Sequence, residues 1–126
     1  MERRAIHTPN APTVGLPLSQ AIKIGNLVFT SGMTARDPKG GHFIGGDIEE
    51  QTERVLLNLK AILEAAGSSL DKVVKVTVFL TDMRDFDGMN KVYRKFFSEK
   101  PPARSTVEVS KLAIDARVEI EMVAGV

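Results

Sequence analysis

The eight residues Val73–Leu80, VVKVTVFL, constrain the fold more than any other stretch. β-branched and aromatic side chains dominate it, which is strand composition. A strand sends alternate side chains to opposite faces, so Val74, Val76, Val78 and Leu80 line one face and Val73, Lys75, Thr77 and Phe79 the other. Neither face is uniformly polar. Such a strand needs cover on both sides: helices supply one, and a subunit interface is a way to supply the second.

Two helices are available for the first face. Asp47 is a good N-cap, and Glu50 three residues on completes a capping-box pattern. Apolar residues then recur at Ile48, Val55, Leu59, Ile62 and Ala66, with Leu56 and Leu63 widening the stripe, and Gly67 closes the helix. The second helix is predicted from about Met83 to Phe97, capped by Asp82 or Asp85. Its stripe is Phe86, Met89, Tyr93, Phe96 and Phe97. Asn90 intrudes on it, and an amide there needs hydrogen-bond partners, from neighbouring backbone or from a site.

Four further strands are legible. Ala21–Ile24 and Leu27–Thr30 flank Gly25-Asn26, a hairpin pattern with a tight turn. Pro101-Pro102 halts the second helix, and a strand begins near Arg104, with Arg104, Thr106 and Glu108 on one face and Ser105, Val107 and Val109 on the other. In Ala116–Ala124, Val118, Ile120 and Met122 share a face; Glu119 and Glu121, ordinarily solvated, share the opposite one. Residues 1–18 read as coil or an edge segment, residues 37–41 as a turn, and residues 42–46 as a brief strand or nothing regular. The order β-β-(β)-α-β-α-β-β is an α+β sandwich over one domain, residues 1–126, with both helices on one side of a mixed sheet.

Composition removes several function classes. A formal net charge of +1 gives no reason to expect nucleic acid or an anionic membrane as partner. There is no cysteine, hence no thiolate chemistry, and the histidines His7 and His42 are isolated from each other, so no metal constellation arises. The N-terminus lacks the apolar run of a secretory signal and no stretch is long enough to span a bilayer, which makes the cytoplasm the expected location. Gly40-Gly41 and Gly45-Gly46 have turn character, not phosphate-loop spacing. Ser31, Ser105 and Ser110 have no histidine partner in any recognised motif. An arginine, some carboxylates and some amides remain. That set suits binding a small acid and positioning a water without a cofactor. Arg104 is then either a surface arginine at a strand end or a permanently charged fork that fits a carboxylate.

The segments SQAIKIGNLVFTSGM, DIEEQTERVLLNLKAILEAAGSSLDKVVKVTVFLTDM, DFDGMNKVYRKFF, PPARSTVEV and VEIEMVA, in this order and spacing, resemble the reactive intermediate deaminase family (RidA/YjgF, endoribonuclease L-PSP-like). The resemblance implies a chorismate-mutase-like fold in a homotrimer, with sheets in a central β-barrel, helices outside and sites in clefts between subunits. It implies hydrolysis of 2-enamine or 2-imino acids to 2-oxo acids and ammonia. It makes Arg104 the carboxylate anchor and Glu119 the residue that positions the water, although a backbone carbonyl near Arg104 would serve as well. Asn90, Ser31, Gly32 and Thr106 match pocket-lining positions. Departures fall at Leu18, where a tyrosine is usual, at Met33, where glutamine is common, and at Thr106, where many members carry cysteine. A changed pocket wall also fits a specialised deaminase of aromatic degradation (2-aminomuconate type) or a non-catalytic, small-acid-binding regulatory trimer. Ribonuclease activity, attributed to some relatives, sits poorly with a near-neutral chain.

Overall fold

Helix α1 (Ile48–Ala65) begins where its sequence says it should. The Asp47 carboxylate accepts from the Glu50 backbone N–H at 2.9 Å, and the Glu50 carboxylate accepts from the Asp47 N–H at 3.1 Å. Val55, Leu56, Leu59, Ile62 and Leu63 are fully buried along one face. Each such side chain contributes about 1.5–3 kcal/mol of burial. Gly67, at φ +81°, takes the left-handed conformation that ends the helix.

The computed structural model describes residues 1–126. Six strands form one sheet: β1 (Arg3–Ile6), β2 (Ala21–Ile24), β3 (Leu27–Thr30), β4 (Val73–Leu80), β5 (Ala103–Glu108) and β6 (Val118–Gly125). Their spatial order is β1-β2-β3-β6-β4-β5. β4 and β5 run parallel and the other neighbours antiparallel, so the sheet is mixed. α1 and α2 (Phe86–Phe96) both pack on one face of it, and the core lies in that layer. Residues 1–18 supply the edge strand β1 and then run irregularly, while residues 42–46 contribute one bridge, Phe43 to Arg36.

Two expectations need correction. A bulge between Val73 and Lys75 shifts the register at the start of β4, so Val73 faces the core and Val74 is 53% exposed. The alternation read from sequence holds only from Lys75 onward. The second helix also starts late: Met83–Asp85 is a separate 3-10 turn, capped by the Asp82 carboxylate on the Arg84 N–H. Asp85 caps nothing. Its buried carboxylate takes two bonds from Arg117, at 2.7 and 3.1 Å, tying the start of α2 to β6. Gly88 lets α2 approach α1, since a Cβ there would lie 2.6 Å from Ile48 Cγ2.

No helix covers the second face of the sheet. Phe29 and Val107 on that face are each 43% exposed. No helix is long and apolar enough to cross a membrane.

Candidate active site

Arg104 is the second residue of β5. It pairs in register with Val76, which pairs with Met122, and both of those are buried beneath the helices. Arg104 therefore projects on the helix-covered face, at the sheet edge. Its half-buried guanidinium lies 4.7 Å from the centre of the Tyr93 ring and 5.7 Å from that of Phe86. Two aromatic faces thus hold the cation. The chain's ion pairs are Asp37–His42, Asp82–Arg84, Glu49–Lys91 and Asp85–Arg117, so Arg104 has no carboxylate of its own.

The surroundings of Arg104 are partly apolar. The Tyr93 hydroxyl is buried and no donor or acceptor meets it in hydrogen-bond geometry; burial pushes the phenol above its usual pKa, while Arg104, by its charge and as a nearby but misaligned donor, opposes the rise. Asn90, half-buried, stands on the same helix between Phe86 and Tyr93. Thr106 shares the face of Arg104, but its hydroxyl is enclosed and unpartnered. At this sheet edge, β5 offers its backbone groups more readily than the Thr106 side chain.

The remaining sequence-derived residues lie elsewhere. Leu18, Ser31, Gly32, Met33 and Glu119 line a cavity of about 490 Å³ roofed by the N-terminal segment. Met33 is fixed by a reciprocal backbone pair with Ile120, at 2.8 and 3.1 Å. The Ser31 hydroxyl donates to the Ser19 carbonyl at 2.6 Å and pins the loop that carries Leu18, itself 51% exposed. Glu119 pairs with Phe79, which pairs with Val107, a row on the face without helices. Burial, and secondarily Glu121, raises the Glu119 carboxyl above its ordinary pKa.

The structure therefore divides the residues into two groups. Arg104, Thr106 and Asn90 belong to the helix face, whereas Glu119 with Ser31, Gly32 and Leu18 belongs to the other side; Met33 reaches the cavity but is buried in the helix-side core, paired with the core residue Ile120. Within one chain the sheet separates them. Sequence reading missed Tyr93 and Phe86 as the seat of the guanidinium, because helical spacing placed both in the core stripe. It also missed Gln20, whose buried amide accepts from the Thr8 N–H at 2.7 Å and donates to the Thr8, Ala11 and Pro12 carbonyls, shaping the cavity roof. A glutamine directly before a strand was its only signal.

These features describe a small α+β protein with an unpaired arginine at one sheet edge and a partly buried glutamate over a cavity. A family model described as Endoribonuclease L-PSP matches residues 8–126, and the chain belongs to that family, the RidA/YjgF family. A RutC family protein of Pyrococcus horikoshii is 54% identical, with 97% of each chain covered. A protein of Dermatophagoides farinae named 2-iminobutanoate/2-iminopropanoate deaminase is 40% identical, covering 96% of this chain and 94% of its own. The crystal structure of RidA from the Antarctic bacterium Psychrobacter sp. PAMC 21119 superposes with a TM-score of 0.93 at 42% identity, covering 98% of this chain and 99% of the other.

Proposed function

We propose that this protein hydrolyses 2-imino acids, and the 2-enamine acids that tautomerise to them, to 2-oxo acids and ammonia. The observation that carries the reading is Arg104: a half-buried, aromatically seated cation in none of the chain's ion pairs. A guanidinium stays charged and accepts a carboxylate through two parallel bonds. The relative named as an imino acid deaminase supplies the reaction class.

The chemistry asks little of the protein. A protonated imine carbon is already electrophilic. Water adds to it, its proton passes to a base, and the resulting carbinolamine expels ammonia as the C–N bond breaks and the carbonyl forms. Anchoring the carboxylate and holding the water about 3 Å from the carbon provide the acceleration. Glu119, with its pKa raised by burial, suits the role of base better than an exposed glutamate would.

Arg104 and Glu119 lie on opposite sides of one sheet, so a shared site needs two copies of the chain. In this reading one copy contributes Arg104, Asn90 and the β5 edge, and the next contributes Glu119, Ser31, Gly32 and Leu18. The uncovered sheet face with Phe29 and Val107 is the surface that copies bury, in a homotrimer with the sheets inward.

The test is complementation. Arg104→Ala and Glu119→Gln homo-oligomers are each expected to lose at least about 100-fold in kcat. Mixed, unfolded and refolded together, they should regain about a quarter of wild-type activity, because a random trimer builds intact sites from one good half of each variant. A mixture as inactive as its components would contradict the shared site. The exposed Leu18, lacking a tyrosine hydroxyl, favours a second reading, a trimer that binds small acids without turnover. Tight binding of 2-oxo acids, with no imino acid hydrolysed, would select it.

A further inference from the structure

Gly32 follows Ser31 just beyond β3 and lies against β6. A Cβ built on Gly32 would lie 2.9 Å from Glu119 Cδ and 3.1 Å from Cγ, and closer still to Oε2. The whole outer half of the Glu119 side chain is thus folded over a residue with no side chain. Glu121, two residues along the same face, is exposed and makes the contrast. A glutamate in this place would relax toward solvent, since burial and the like charge of Glu121 both disfavour its ionised form.

Other crowded glycines differ in what they touch. A side chain at Gly41 would meet the Thr13 backbone oxygen at 2.8 Å, and one at Gly88 would meet Ile48. Gly41 has φ +72°, which penalises any L side chain in addition, whereas Gly32 is not among the left-handed glycines. The Gly32 backbone therefore admits alanine. What yields is the rotatable end of Glu119.

We propose that Gly32 is a positioning residue: its absent side chain is the seat of the Glu119 carboxylate, and a methyl group there redirects the carboxylate while the fold persists. The role is distinct from backbone contact with substrate. It rests on the reading of Glu119 as the group that handles the water.

The experiment combines Gly32→Ala, Glu119→Gln and the double variant, with turnover, melting temperature and a ¹³C carboxyl titration of Glu119. Gly32→Ala should lower kcat roughly 10- to 100-fold, as misplacement by about 1 Å does. KM should change less than about threefold, because the Arg104 anchor is untouched. In the Glu119→Gln background the same change should cost less than about threefold. The Glu119 titration midpoint should fall in Gly32→Ala as the carboxyl swings toward water. Equal losses in both backgrounds, or an unmoved midpoint, would overturn the proposal. Should Gly32→Ala lower the melting temperature, adding Glu119→Ala should restore it, and failure to do so would also overturn it. Wild-type turnover by Glu119→Gln sinks the water-handling role alone, because the titration still reports where the carboxylate sits.

Discussion

The Arg104 guanidinium lies 4.7 Å from the centre of the Tyr93 ring, whose buried hydroxyl has no hydrogen-bond partner. The ring and the hydroxyl are therefore separable. Tyr93→Phe keeps the aromatic face and removes an unsatisfied polar group, so its melting temperature should stay level or rise, with KM for 2-iminopropanoate unchanged. Tyr93→Leu removes the face that fixes the cation. A cation–π contact of about 1–2 kcal/mol predicts a KM increase of roughly 5- to 30-fold, read by steady-state kinetics on freshly generated imine. Equal KM values for the two variants would show that the ring does not hold the anchor.

Packing of α2 on α1 depends on Gly88. A methyl group there would stand 2.6 Å from Ile48 Cγ2, in a core where neighbours have little room. Gly88→Ala should cost about 1–3 kcal/mol by denaturant unfolding despite its better helix propensity. Adding Ile48→Ala should recover much of the loss, and that non-additivity identifies the contact.

Much of the fold was legible because single segments carried their own signals. The Asp47–Glu50 box, the α1 stripe, the Gly25-Asn26 hairpin and the alternation of β6 all appear as read. The bulge at Val73 was not legible, since a run of valines offers either phase of a period-two pattern equally well. The late start of α2 was hidden because Asp85 looks like a cap until the distant Arg117 claims it. Of the candidate site, the sequence names candidate residues but not which of them share a face. Which side of the sheet Arg104 and Glu119 occupy follows from the parallel β4–β5 pairing and the antiparallel β4–β6 pairing, long-range registers that no local pattern encodes.

Leu18 offers a direct probe of the cavity wall. Its side chain is half exposed on a loop pinned by Ser31, so enlarging it meets little packing resistance. Leu18→Tyr should leave the melting temperature within about 2 °C, as surface substitutions do. If its hydroxyl reaches the bound imino acid, kcat/KM for 2-iminopropanoate should rise roughly tenfold, the value of one good hydrogen bond. An unchanged kcat/KM would place Leu18 outside the substrate's reach.

If Glu119 is the base of the proposed reaction, it couples stability and catalysis with opposite signs. Its folded-state pKa is raised, by burial first and by Glu121 second, above the ordinary value of 4.5. The folded chain therefore favours the protonated form. The associated stability is fully present below the unfolded pKa and is lost as pH rises through the folded one. At neutral pH the ionised carboxylate is a net cost, so Glu119→Gln should raise the melting temperature by about 1–3 °C at pH 7, with the gain vanishing near pH 4. In the proposed mechanism catalysis moves the other way: a base must be ionised, so wild-type kcat/KM should climb with pH through the raised pKa, and Glu119→Gln should lose that limb. Parallel melting curves and pH–rate profiles of the two proteins check both signs. A Gln variant less stable than wild type at pH 7 would show that the carboxylate is held by favourable contacts instead of being confined against its preference.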